Sequence, residues 1–117
     1  MKIENCEDRL AHEKRIERAK AEMLKADEIE RTCNVFRMLG EESRLKIVLA
    51  LMQGESCVYH LVECCGGTQS GMSHQLRVLK DNRLVRSRRV GQNVLYSIAD
   101  EHIVKIVELA RAHKDCE

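Results

Sequence analysis

At 117 residues, 44% hydrophobic and 33% charged, the chain suits one compact domain built around a single core. No Trp, one Phe and two Tyr leave aliphatic side chains and Met to fill that core, and the absence of Pro permits long helices. The apolar run at 47–52 is far shorter than the roughly 20 residues a bilayer requires, and residues 1–10 are too charged for an export signal. A membrane-spanning or exported protein is therefore excluded and a cytoplasmic one expected, in which the six cysteines are reduced thiols available for metal binding, redox chemistry or packing.

The formal charge of +1 conceals an asymmetry. Between Gln69 and Ser97 stand Arg77, Lys80, Arg83, Arg86, Arg88 and Arg89 against Asp81 alone, a local charge of +5, while the rest is acidic on balance. That stretch is suited to a polyanion.

In chain order, residues 9–31 predict a helix with a thin apolar stripe at Ile16, Ala19, Met23 and Ala26 that needs a partner. It runs toward a second apolar set, Ile29, Cys33, Phe36 and Leu39, and Gly40 supplies a stop. Glu41 and Glu42 open the next helix, where acids suit the positive end of the dipole. Its core stripe is Leu45, Val48, Leu49 and Met52, and it ends near Gly54. A short helix over about 57–65 is expected to bury Val58, Leu61 and Val62. It is closed by Gly66-Gly67, with Thr68 as N-cap of the helix that follows.

Two helices joined by a tight glycine turn, over 57–82, are the mark of a helix-turn-helix. In the second helix Met72, Leu76 and Leu79 share a face, leaving Gln69, Ser70, Ser73, His74 and Arg77 exposed. A β-hairpin over 84–98 follows, with a turn at Gly91-Gln92-Asn93 and Val94, Tyr96 and Ile98 alternating along its second strand. A last helix, over 100–115, carries Ile103, Ile106, Val107 and Ala110 on one face and is capped by Asp100. The expected fold is mainly α: a winged helix-turn-helix of about five helices and a two-stranded hairpin.

In that fold the second helix enters the major groove and the hairpin lies against phosphates. Gln69 and Arg77 are the candidates for base edges, Ser70, Ser73 and His74 for bases or phosphates, and Arg86, Arg88 and Arg89 for the DNA backbone. The competing reading, an ordinary solvated helix, does not account for the glycine turn, the polar face and the local charge occurring together.

Asp100, His102, His113 and Cys116 are metal-ligand types on the last helix. The two histidines are 11 residues apart, about 16 Å at ~1.5 Å rise per residue, while ligands of one zinc ion each lie about 2 Å from it. One helix cannot close the site. Two copies packed antiparallel about a twofold axis near Val107 bring Asp100 and His102 of one to His113 and Cys116 of the other, giving two identical sites per homodimer. The alternative is that these are solvated residues near a chain end.

The segments Leu39-Gly-Glu-Glu-Ser-Arg-Leu-Lys-Ile47, Ser73-His-Gln-Leu-Arg-Val-Leu79 and Asp100-Glu-His-Ile103 with His113 resemble the ArsR/SmtB family of metal-sensing repressors, over residues 33–117. The likeness is to its cadmium-, lead- and zinc-responsive branch. It implies a homodimer, joined through N- and C-terminal helices, that occupies an imperfectly palindromic operator when metal-free and leaves when metal binds. It also implies an interhelical zinc site on Asp100, His102 and His113, with Cys116 where relatives place Glu or His, and Glu117 as the alternative ligand. A thiolate there favours Zn(II) or Cd(II), with Pb(II) a further candidate inducer.

A second family site implies Cys57 and His60 joined by Cys6 from the N-terminal arm (residues 1–31) of the other subunit, with His12 a further candidate there. Tyr59 stands where thiolate-rich relatives have cysteine, and Cys57 as a small buried residue is the competing reading. Cys33, Cys64 and Cys65 are expected to fill the core. The nearest functional alternative is a repressor of the same fold responding to arsenite or thiol oxidation through Cys57, Cys64, Cys65 or Cys116. An enzyme such as a zinc hydrolase would need a substrate cleft that nothing in the sequence supplies.

Overall fold

The computed structural model describes residues 8–114, so Cys6, Cys116 and Glu117 lie outside the described residues. The chain divides at Arg31/Thr32 into two compact units. Six helices and one hairpin appear: α1 (Arg9–Ala21), α2 (Ala26–Leu39), α3 (Glu42–Leu51), α4 (Val58–Cys65), α5 (Gln69–Asp81), β1 (Val85–Val90), β2 (Asn93–Ile98) and α6 (Glu101–Ala112).

The continuous helix expected over 9–31 is broken between Ala21 and Ala26 although neither Pro nor Gly stands there. Local capping is the cause. Glu22 and Met23 donate their backbone N–H groups to Arg18 and Lys20 carbonyls, closing α1. Glu28 then reaches back to accept the Lys25 N–H at 3.3 Å, one half of a capping box that starts a new helix. No residue of α1 is buried.

In the Thr32–Glu117 unit, α4 packs on α3 and α5, α5 on β1, and β2 receives α3, α4 and α6. Ile47, Val48, Leu61, Leu76, Leu79 and Leu84 are the most deeply buried side chains. On α3 the buried positions are Ile47, Val48 and Leu51, which corrects the expected stripe. Leu45 and Leu49 instead line an apolar groove with Phe36, Leu39, Ile106, Val107 and Ala110. Cys33 and Cys64, expected in the core, are exposed, whereas Cys65 is half-buried and packs against the core's edge.

The run Glu41-Glu42-Ser43-Arg44 lies at the junction of α2 and α3 and closes it from both sides. Glu41 accepts the Arg44 N–H at 2.9 Å, capping α3, while the Arg44 guanidinium donates to the carbonyls of Met38 at 3.0 Å and Arg37 at 3.3 Å, closing α2. Between the two, a Cβ on Gly40 would lie 2.9 Å from the Phe36 carbonyl oxygen, so the chain can turn this tightly only with glycine. Arg44's backbone N–H holds the Glu41 carboxyl below the usual carboxylate range.

The end of α5 positions the hairpin. Leu84 N–H bonds the Leu79 carbonyl at 2.9 Å and Arg83 N–H the Lys80 carbonyl at 3.0 Å, a Schellman closure in which Arg83, at φ +66°, occupies the left-handed position usually given to glycine. Leu79 and Leu84, the pair such a closure brings together, are both buried. Asn34 on α2 donates to Asn82 at 2.8 Å, and Asn82 donates to the Val78 carbonyl at 2.8 Å. The hairpin turn has two residues, not three: Val90 pairs with Asn93, and Gly91 supplies the positive φ of +63° such a turn demands.

Candidate nucleic-acid interface and metal-ligand positions

Thr68 caps α5 by accepting the Gly71 N–H at 3.0 Å, which fixes where the helix begins and so which residues occupy its first turns. Met72, Leu76 and Leu79 anchor it in the core. Gln69, Ser70, His74 and Arg77 are exposed and Ser73 is half-buried. These side chains form a row mounted on a rigid element, the arrangement that presents hydrogen-bonding groups to base edges in a groove.

The hairpin distributes its arginines over two faces, because side chains alternate along a strand. Arg89, paired with Val94, lies on the side of Val85 and Tyr96; Arg86, paired with Ser97, and Arg88, paired with Leu95, lie on the other. The three arginines expected to contact the DNA backbone are thus not equivalent. Arg88 is engaged within the chain: its Nε donates to Glu55 Oε2 at 2.7 Å and its Nη2 to Glu55 Oε1 at 2.7 Å. The bond to Arg88 holds the Glu55 carboxyl below the usual carboxylate range and raises the Arg88 guanidinium. Sequence reasoning missed Glu55, since 33 residues separate it from Arg88 and no spacing connects them.

Asp100 caps α6: its Oδ1 accepts the N–H of His102 at 2.9 Å and of Ile103 at 3.4 Å. The same oxygen lies 3.2 Å from His102 Nδ1, so these two ligand types are brought together at the start of the helix. His113 is exposed at the opposite end, as the C-cap; the helix stops there rather than near Asp115. Among the described residues no three ligand-type side chains converge within one chain.

The apolar face expected between these ends is corrected. Ile103 and Val107 are already buried inside the chain, whereas Ile106 is half-buried and Leu109 is 73% exposed. His102, Ile106, Leu109 and His113 follow one another at spacings of four, three and four residues, a single stripe along α6.

On α4, Cys57 is the half-buried N-cap, with no hydrogen bond from its side chain to the helix. His60, one turn on, is exposed and its ring is tilted 58° against Tyr59 at a centroid distance of 5.9 Å. Cys65 donates to the Lys46 carbonyl at 3.6 Å; burial, then the neighbouring Cys64, pushes its thiol up. Cys65 also borders a cavity of about 410 Å³ beside Lys46, Gly66, Gly67 and Thr68. Among the described residues no helix is long and apolar enough to cross a membrane.

Comparison with known proteins places this arrangement in context. The family model described as "Bacterial regulatory protein, arsR family" matches residues 41–87, the stretch from the cap of α3 into β1. The transcriptional repressor SmtB homolog of Synechocystis sp. is 35% identical over 108 residues, 92% of this chain and 82% of the relative. The cadmium resistance transcriptional regulatory protein CadC homolog of Staphylococcus aureus is 34% identical over 110 residues, 93% of this chain and 90% of the relative. Among solved structures, the antimony-specific transcriptional repressor AntR superposes with a TM-score of 0.70 at 30% identity, covering 77% of this chain and 82% of that one. The homodimeric winged helix-turn-helix DNA-binding domain Mb0332 of Mycobacterium bovis gives a TM-score of 0.70 at 27% identity, covering 79% and 93%.

Proposed function

Because the chain belongs to the ArsR family of bacterial transcriptional regulators, we propose that it is a homodimeric repressor that holds operator DNA when metal-free and releases it on binding Zn(II), Cd(II) or Pb(II). The observation that carries the metal-responsive part of this reading is the α6 stripe. Its two histidines lie at equal distances from a midpoint between Ile106 and Leu109, the apolar side chains this stripe leaves incompletely covered. A second copy of α6 laid antiparallel about that midpoint covers them and sets Asp100 and His102 beside His113 of the second copy. The twofold axis thus falls beside Val107 rather than on it, since Val107 faces its own core.

The donor set fits a soft-to-borderline divalent ion: a carboxylate and imidazoles, with Cys116 or Glu117 as the remaining candidate ligand. Asp100 bonds two backbone N–H groups of its own helix, which fixes its carboxylate at the start of α6. Bound metal supplies a cross-link between subunits; the protein supplies the lever that turns it into a signal. The elements packed around β2 connect α6 to the reading helix α5, and linkage requires metal and DNA to weaken one another by the same factor. Cys57 and His60, with Cys6 of a second copy, are the ligands of a second, thiolate-bearing site for Cd(II) or Pb(II). Gln69, Ser70, Ser73, His74 and Arg77 read the operator, and wing arginines contact its phosphates.

The test is operator binding by fluorescence anisotropy at fixed salt, with chelator and then with stepwise Zn(II). Affinity should fall as one ion per symmetry-related site is added, and His113→Gln should retain metal-free binding while losing the zinc response. A full zinc response in His113→Gln would remove the α6 site from the mechanism.

A further inference from the structure

Arg88 and Glu55 form a fork-to-fork pair, two parallel N–H···O bonds of 2.7 Å each, the geometry in which guanidinium groups also grip phosphates. Glu55 is carried there by a short backbone pairing: Ser56 N–H bonds the Tyr96 carbonyl at 3.0 Å and Tyr96 N–H the Ser56 carbonyl at 2.8 Å. This adds a third strand segment beside β2. With Ser56 opposite Tyr96, Glu55 falls on the opposite face of the ribbon, the face of Leu95 and Arg88. Arg88 therefore reaches across β2 to a carboxylate placed for it. Among the described residues, Arg86 and Arg89 have no such ion-pair partner.

We propose that Glu55 stands in for a DNA phosphate, keeping Arg88 out of the set of wing cations that engage the operator and so setting a ceiling on the repressor's affinity. The proposal rests on the reading of the wing as phosphate-facing. The pair is open to solvent, with side-chain exposures of 63% for Arg88 and 29% for Glu55. Even in bidentate geometry a pair this exposed braces the hairpin only modestly. What the pair does change is the number of cations the wing offers to a polyanion.

The effect is read in the salt dependence of operator binding, because each phosphate neutralised adds about 0.9 to the slope of log K against log salt. Glu55→Gln frees one arginine per subunit, so the slope should steepen by about 1.8 per dimer. The variant's advantage over the wild type should then grow roughly twelvefold between about 200 and 50 mM salt. Glu55→Gln/Arg88→Ala, which removes both charges of the pair together, should return to the wild-type slope. Arg86→Ala, whose guanidinium has no ion-pair partner among the described residues, should make the slope shallower and so tests separately whether the wing meets phosphate. Thermal unfolding of each variant confirms that the fold is kept. A Glu55→Gln protein with an unchanged slope overturns the proposal, as does the double variant with a slope shallower than the wild type's, because Arg88 then already contacts DNA. If Arg86→Ala is also without effect, the wing reading fails with it; if Arg86→Ala acts and Glu55→Gln does not, only the role of Glu55 fails.

Discussion

Leu76 separates anchoring from reading on α5. Its side chain is fully buried, at 0% exposure, on the face of the helix it shares with Met72 and Leu79. Leu76→Ala removes the equivalent of three methylenes, about 2.4 kcal/mol of transfer free energy, and the cavity left in a close-packed site raises the loss to about 3–4 kcal/mol. At roughly 0.1 kcal/mol per residue, the Thr32–Glu117 unit has on the order of 9 kcal/mol to lose from, so the variant stays folded but with a much lower urea midpoint. The assay is urea unfolding at fixed protomer concentration, since dimer stability depends on it, with operator anisotropy measured well below the midpoint. Leu76→Ala should shift the midpoint with an unchanged m-value and keep most of its operator affinity. Gln69→Ala should do the reverse, moving the midpoint by less than about 0.5 kcal/mol while weakening operator binding. A loss below about 1 kcal/mol in Leu76→Ala would refute the packing argument, and unchanged operator affinity in Gln69→Ala would refute the assignment of the reading face.

Two further tests probe the helix ends. Glu41 has a carboxyl lowered by the Arg44 N–H, so its ionised form adds stability that is present above its unfolded pKa and is lost as pH falls through the folded one. Glu41→Gln should therefore be less stable than the wild type near neutrality and converge with it in acid, as followed by thermal unfolding across pH; a gap that stays constant would disprove the link. Arg83→Gly relieves a left-handed conformation worth about 1–2 kcal/mol for an L-residue and adds about 0.5–1 kcal/mol of backbone entropy cost. A net gain of roughly 0.5 kcal/mol is expected in urea unfolding, and a loss would mean that the Arg83 side chain stabilises the junction.

How much was legible in advance follows the range of the interactions involved. The caps at Thr68 and Asp100 were readable because a capping side chain acts on backbone groups two or three residues away. So was the core face of α5, because Met72, Leu76 and Leu79 repeat at the helical period. The same locality explains the break between α1 and α2 being overlooked: it rests on Glu28 accepting one N–H, a weak signal beside 23 residues of helix-favouring composition at 9–31.

The sequence by itself determined the order of elements, the turn glycines, the basic hairpin and the ligand-type side chains at the two ends of α6, all consequences of local periodicity and side-chain chemistry. Only the tertiary structure decided which apolar stripe each helix spends on its own core. Ile103 and Val107 are consumed inside the chain while Ile106 is half-buried and Leu109 exposed, and periodicity cannot rank two adjacent stripes that both satisfy it. It also decided that Arg88 is met by Glu55 while Arg86 is not. The pairing of Ser56 with Tyr96 sets that meeting, and backbone pairing between distant segments leaves no trace in the spacing of the residues it brings together.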